Sequence, residues 1–501
     1  MKNGALLVAV LALAGCAVGP DYRAPAMKTP DAFAAAGGKG MAVDPAGWWH
    51  ALGDKQLDAL VERAVAANPD VAIALDRLLE ARTEEAVLLG LVLPQADAAG
   101  AMGKGSGSDN TRGRVPSLLT SADNTALSPT RQIDQVGGFD AVWQIDLFGQ
   151  YRRAIEAGIY DAEAAEQARN QIVVTVIADV VRAYIDLRGL QIRLAVLRQN
   201  IEVARSSRDF IKMRYERGLT NELDLTLAER ELSSLQAQAA PLQAERDAAR
   251  YTIAVLLGRY PEEMAAELTE VKPIPALPPH IDPGLPLDLI KRRPDVQQSE
   301  RQLAAATARI GVAIGNLFPH VALAGAEGVQ STSMGMEHAT HIWSFGPAAY
   351  WPLLDFGALD AQVDIADLRS REQFEFYRKS LLNAVREVDS AVSDFAAQQS
   401  SVAELGNAVL QGQRAVALAN ERYDRGLTDF LNVVDAERQQ YALEEQLIAA
   451  QQIAGEDFVA VFRSLGGGWQ GFQDIPATRL PHPAVMAMFE RLAAPTNEDG
   501  Q

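Results

Sequence analysis

The only cysteine in the 501 residues, Cys16, closes the tetrapeptide Leu13-Ala14-Gly15-Cys16. A thiol in this setting can carry a thioether-linked diacylglycerol, and the tetrapeptide has the form of a bacterial lipobox. Lys2 and the short apolar stretch from Ala5 to Leu13 precede it as in an export signal. Cleavage before Cys16 makes residues 1–15 a signal peptide and residues 16–53 a lipidated N-terminal extension. An Asp after the lipidated cysteine often signals inner-membrane retention, whereas Ala17 stands here and favours transfer to the outer membrane. With one thiol there is no disulfide framework, and a redox role for Cys16 is not expected.

Other residues with chemical capacity assemble less well. Met334, Met336, His338 and His341 form a soft-metal-like cluster in an expected external loop, suited to copper or silver, but surface loops tolerate such residues and no metal site is assigned to them. The six histidines are scattered. Gly466-Gly467-Gly468 lacks the Lys and Ser/Thr of a phosphate loop and reads as a helix cap and linker. No catalytic constellation emerges, so an enzyme is not expected, nor any cofactor beyond the covalent lipid on Cys16. A net charge of −19 disfavours a nucleic-acid ligand. The longest basic run, Lys291-Arg292-Arg293, reads as a solvated helix end.

The elements carrying these residues come from a tandem duplication. Asn68-Pro69-Asp70-Val71 is echoed by Arg293-Pro294-Asp295-Val296, and Leu93-Pro94 by Phe318-Pro319, both at an offset of 225. Trp143 with Phe148-Gly149 pairs with Trp351 and Phe356-Gly357 at an offset of 208, as does Leu257-Gly258 with Leu465-Gly466. The first repeat therefore carries 17 extra residues between Pro94 and Trp143, rich in Gly, Ser, Asn and Thr. The repeats are taken as 54–258 and 287–466, with a Pro-rich linker at 259–286 and a C-terminal segment at 467–501.

Each repeat reads as helix, strand hairpin, very long helix, tight turn and helix. Leu187, Leu190, Leu194, Leu197, Ile201 and Ala204 follow coiled-coil spacing, as do Leu381, Val385, Val388, Val392 and Phe395. From Gly149 to Arg217 no proline interrupts, so one helix of about 100 Å is expected at roughly 1.5 Å per residue. Its counterpart runs from Gly357 to Arg425, and return helices near Leu223–Leu257 and Leu431–Leu465 are about half as long. The helices about Asp54–Leu93 and Leu287–Leu317 have the length to stack end to end with them. Charges alternating along the long helices exclude burial in lipid, so they span an aqueous gap.

Phe139, Ala141, Trp143, Ile145 and Leu147 alternate with a largely polar set, and Trp343, Phe345, Pro347, Ala349, Trp351 and Leu353 repeat the pattern. This is a barrel strand with lipid outside and water inside. Partner strands are expected near Gln95–Gly105 and His320–Gln330. Four strands cannot close a barrel when the smallest natural examples use eight, and open edges in lipid leave backbone groups unpaired. Subunits must then share one barrel. A rod-like coiled-coil envelope scaffold without a pore is the alternative, which these strands oppose.

With these residues in view, the chain resembles the outer-membrane factor family of TolC-like efflux channels, in its NodT-type lipoprotein branch. The resemblance rests on Cys16-Ala17-Val18-Gly19-Pro20-Asp21-Tyr22, Trp48-Trp49 with Leu52-Gly53-Asp54 and Leu57, Ala67-Asn68-Pro69-Asp70, Trp143 to Gly149 and the two Arg-Tyr-x-Arg-Gly-Leu-Thr turns. It implies an internally duplicated α+β membrane protein, with four strands per chain joining a trimeric twelve-stranded outer-membrane barrel continuous with a periplasmic α-helical coiled-coil barrel. It also implies a passive exit duct docked to a periplasmic adaptor and an inner-membrane transporter, with Pro273–Pro286 and the segment after Gly468 in a belt around the middle. The turns Arg217-Gly218-Leu219-Thr220 and Arg425-Gly426-Leu427-Thr428 are then the adaptor-contact tips. In each, Gly ends a helix, Thr can cap the next, and an exposed Leu suggests a partner. Leu431, Asp435 and Arg438 match the family's aperture pattern and share one helix face. The first repeat keeps Leu223 and Arg230 but has Leu227 in place of the Asp.

Overall fold

The structure, a computed structural model, describes residues 17–34, 43–105, 132–264, 266–331 and 340–473. Cys16, nearly all of the 103–130 insertion, Met334, Met336, His338 and the chain beyond 473 lie outside the described residues.

Chain direction is set first by prolines and caps. Helix α1 (Lys55–Ala67) and helix α2 (Pro69–Gly90) divide at Asn68, whose side chain caps α2 by accepting from the Asp70 and Val71 amides while Pro69 starts the new helix. The uninterrupted helix expected over 54–93 is thus two. In the second repeat a one-turn helix (Leu289–Arg292) likewise breaks at Arg293 before α5 (Pro294–Gly315). Between these lie strands β1 (Gln95–Gly105) and β2 (Gln132–Ile145), long helix α3 (Gln150–Glu216) and return helix α4 (Glu222–Leu256). The second repeat continues with β3 (His320–Ser331), β4 (Thr340–Tyr350), α6 (Ala358–Asp424) and α7 (Phe430–Ser464). The long helices α3 and α6 have 67 residues each, and the return helices 35 each. No helix among the described residues is long and apolar enough to cross a membrane.

The duplication extends to individual hydrogen bonds. Asn68 Nδ2 donates to the Leu256 carbonyl at 2.9 Å, and its counterpart Arg293 donates to the Ser464 carbonyl at 2.8 Å. Each short helix is thereby joined to the end of its return helix, completing one stacked lane. Gly258 and Gly466 sit in the left-handed region at these joints, with a Cβ on Gly258 falling 2.5 Å from the Ala67 carbonyl oxygen. Trp143 Nε1 donates to the Val92 carbonyl and Trp351 Nε1 to the Leu317 carbonyl, locking each hairpin onto the helix before it.

Arg293 departs from the solvated helix end expected for the basic triplet. It is buried, pairs with Asp295 at 2.6 Å and Glu387 at 2.8 Å, and caps the Ser464 carbonyl. Its guanidinium is the second repeat's substitute for the Asn68 amide, and two carboxylates meet the cost of burying it.

The four strands form one antiparallel sheet in the order β1-β2-β3-β4, so the two hairpins join through β2 and β3. Directly paired residues share a face. Phe139 pairs with Ala98 and Glu327, and Glu327 with Trp343, while Phe345 and Ala141 both pair with Gly325. These make the aromatic face, on which Phe139, Trp343 and Phe345 are exposed. Asp97 pairs with Asp140 on the other face. Glu327 is a charge on the aromatic face, and His341 Nε2 meets it at 3.0 Å. The imidazole of the one residue of the Met/His cluster that is described is thus engaged by a carboxylate.

The largest core lies where the two repeats meet halfway along α3. Trp48 stacks on Phe462 at 5.4 Å with a 4° interplanar angle and packs against Phe458 and Trp49. Fully buried Arg188 donates to the Glu270 carbonyl, Gln191, Gln56 and the Tyr184 hydroxyl. Gln191 reaches the Leu268 carbonyl and Gln399 the Pro278 carbonyl, so the linker between the repeats runs across the middle of the long helices. The N-terminal segment is fastened higher up. Arg153 donates to the Val18 and Gly19 carbonyls and pairs with Asp21 at 2.7 Å, while Ala17 packs on Gly149 at the β2–α3 junction.

Candidate gate and docking tips

Both tips are helix ends closed by a glycine. Gly218 and Gly426 have φ of 69° and 70°. In the first, Gly218 N–H bonds the Tyr215 carbonyl and Leu219 N–H the Arg214 carbonyl; Gly426 and Leu427 do the same to Tyr423 and Arg422. This pair of bonds satisfies the last carbonyls of each long helix and reverses the chain. Leu219 and Leu427 are each 63% exposed. Arg425 pairs with Glu421 along its own helix.

The helix starts differ from the expectation. Thr220 and Thr428 precede the cap positions, which are Asn221 and Asp429. Asn221 Oδ1 accepts from the Asp224 amide at 2.9 Å, and the Thr220 hydroxyl bonds the Asp224 carboxylate. Thr428 Oγ1 accepts instead from Asn432 Nδ2 at 2.8 Å. The threonines therefore brace side chains of the next turn rather than capping the backbone; the cap position falls one residue later, where Asn221 accepts a backbone amide and Asp429 makes no side-chain cap bond.

Leu431, Asp435 and Arg438 lie on the exposed side of α7 within the first turns after the second tip. Asp435 accepts from Gln439 at 2.9 Å. A local Asp435–Arg438 pair does not form. Arg438 Nε instead reaches Glu231 on α4 at 2.9 Å, tying the second repeat's return helix to the first's. The first repeat, which lacks the Asp at Leu227, thus supplies its carboxylate one turn later.

Glu231 and its neighbour across the packing, Glu437, were not legible as site residues. Both are buried, at 6% and 7% exposure. Burial, and then the Glu231 charge, push Glu437 from 4.5 up to about 7. Burial, reinforced by Glu437 and Glu231, also raises Tyr441 above the ordinary phenol range. The available signal was two glutamates on the apolar stripes of α4 and α7, where core residues were due.

No group of three or more His, Cys, Asp or Glu side chains placed to hold a metal ion occurs among the described residues. The glycine triplet is a helix stop that also seats the core: Gly467 N–H bonds the Phe462 carbonyl, and a Cβ on Gly467 would lie 2.3 Å from the Pro45 carbonyl oxygen.

Comparison with known proteins agrees with this architecture. The chain is 30% identical over 470 residues to Nodulation protein T of Rhizobium leguminosarum bv. viciae, covering 93% of each chain. It is 27% identical over 471 residues to the cation efflux system protein CusC of Escherichia coli K12, covering 91% of this chain and 97% of the other. The solved structure of the outer-membrane channel OprN superposes with a TM-score of 0.79 at 33% identity, covering 91% of this chain and 100% of that one. The outer membrane efflux protein family model matches residues 60–259 and 285–467, one segment on each half of the duplication, and the chain belongs to that family.

Proposed function

We propose that three copies of this chain form one passive exit duct through the outer membrane and periplasm, receiving substrates from an inner-membrane transporter and a periplasmic adaptor. The observation that carries this reading is the sheet. Its outer strands β1 and β4 have no partner beyond the other two among the described residues, and one of its faces is aromatic. In lipid such edges are tolerable only if they pair with another copy. Planar-bilayer recording of the purified protein tests it: discrete single-channel steps are expected, and their absence from correctly folded protein would favour a non-conducting envelope scaffold.

The internal repeat supports a specific seam. Phe148, at the β2–α3 junction, stacks on Phe318 at 4.6 Å. Its repeat counterpart Phe356 is 98% exposed and held at a φ of 53°. Phe318's counterpart is Leu93, so Phe356 of one copy should pack on Leu93 of the next. Phe356→Cys with Leu93→Cys is expected to crosslink between chains and yield a covalent trimer; disulfides confined to one chain, or none, would count against the seam.

The tips are the adaptor contacts in this reading, because a leucine that is mostly exposed at each helix turn fits an apolar partner surface. A Leu219→Asp, Leu427→Asp double variant should assemble normally and lose crosslinking to its adaptor, and unchanged crosslinking would exclude docking at the tips.

Cys16 is the expected mature N-terminus and lipid carrier, a reading supported by the packing of the next residue, Ala17, on Gly149 at the start of α3, directly after the sheet. Intact mass of the membrane-extracted protein should exceed that of residues 16–501 by an acylated glyceryl group.

A further inference from the structure

Glu231 and Glu437 interact across the packing of α4 on α7, a few turns above the tips. Apolar clusters enclose them. Ile211, Ala228, Phe430, Val433 and Val434 lie on the tip side, and Leu197, Ile201, Ala204, Leu232 and Leu235 on the other. Arg438 is the cation at this position, and it is bound to Glu231. No hydrogen bond or ion pair engages the Glu437 carboxyl among the described residues.

The surrounding groups add no second cation. On α7, Asp435 is exposed, Glu444 takes a hydrogen bond from Gln440, and the buried Tyr441 hydroxyl has no partner. On α4, Glu229 and Arg230 face outward. On α3, Arg208 pairs with Asp209 at 2.8 Å, and Arg214 stacks over the Tyr423 ring. On α6 the inward stripe of Val409, Gly412, Val416 and Ala419 is uncharged and ends at Tyr423. With every group ionised, the cluster would hold one uncompensated negative charge inside apolar packing, which is strongly unfavourable.

We propose that Glu437, packed beside Glu231, forms a proton-operated latch on the aperture: the shut tip keeps a proton on Glu437, and losing it loosens α7 from α4. This rests on the reading of Leu431, Asp435 and Arg438 as the aperture.

The direction with pH follows from the exposure of Glu437 in the two states. In the packed tip Glu437 holds its proton up to about 7, against 4.5 where water reaches it. The packed state binds the proton more tightly, so its advantage is complete below the ordinary carboxyl range, declines as pH rises, and is gone above about 7. Across that window the shut-to-open ratio falls by about two orders of magnitude per subunit. An acid medium therefore seals ducts not engaged by a pump.

Planar-bilayer conductance of the full-length trimer, recorded from pH 5 to pH 8 at constant salt, tests the latch. Wild type should conduct several-fold more at the alkaline end, and Glu437→Gln, an uncharged residue of the same shape, should stay low throughout. Infrared difference spectra should show a carboxylic-acid carbonyl band near neutral pH that Glu437→Gln lacks. A pH response that survives in Glu437→Gln, or that is abolished by Asp435→Asn alone, overturns the proposal. If Asp435→Ala with Arg438→Ala is open at every pH while Glu437→Gln tracks wild type, the aperture stands and the latch fails. If that double variant conducts like wild type, the aperture reading itself fails.

Discussion

Replacing Asp435 and Arg438 together with alanine is expected to raise single-channel conductance several-fold and to weaken cation preference. Arg438 bridges to Glu231 at 2.9 Å, an ion pair between α7 and α4. Removing the guanidinium leaves a carboxylate of 6% exposure with no counter-ion, a change that costs about 3–5 kcal/mol in comparable buried pairs. Arg438 is itself half-exposed, which screens its attraction and places the loss at the lower end of that range. The strain is relieved if α7 swings away from α4, and that movement opens the tip. Asp435 acts differently. It is exposed on one copy, and threefold symmetry would turn three such carboxylates toward one lumen, where they favour cations. Wild-type conductance in the double variant would place the gate elsewhere.

Trp48→Ala should be the most damaging single truncation away from the gate. The indole is 1% exposed, stacked on Phe462 and edged by Trp49 and Phe458, and Gly468 closes over it with no side chain. It joins the N-terminal segment to the end of α7, so both repeats lose packing at once. Truncations of buried aromatics of this size cost about 3–5 kcal/mol, because the cavity cannot collapse between long helices fixed at both ends. The midpoint for thermal loss of helical circular dichroism in detergent should fall by several degrees, while Tyr260→Ala, at a position 76% exposed, should leave it unchanged. Equal midpoints for the two variants would show that the belt does not depend on this stack.

The elements most legible in the sequence were those whose signal is local. Unbroken seams of leucine and valine gave both long helices within a residue or two of their ends, since a coiled-coil stripe and a glycine stop are written in adjacent turns. Alternation gave the strands, and even the Ala- and Gly-rich partners were placed, because the duplication fixed where a hairpin had to be. Breaks were less visible. The short helices read as single segments, although Asn68-Pro69 and Arg293-Pro294 stop the backbone hydrogen bonding there.

Charge was the property that sequence placed worst, since burial depends on neighbours far along the chain. Arg293 read as one cation in a solvated basic triplet, and the fold buries it against Ser464, Glu387 and Asp295. Arg438 read as an aperture residue on one helix face with Leu431 and Asp435, and the fold pairs it with Glu231, more than two hundred residues earlier. The sequence by itself determined the duplication, the long aqueous helices, the tips and the need for a shared barrel, all consequences of periodicity and of backbone hydrogen bonding in lipid. Only the tertiary structure decided which carboxylates lie between α4 and α7, because desolvation and pairing act on groups that meet only after the two repeats have packed.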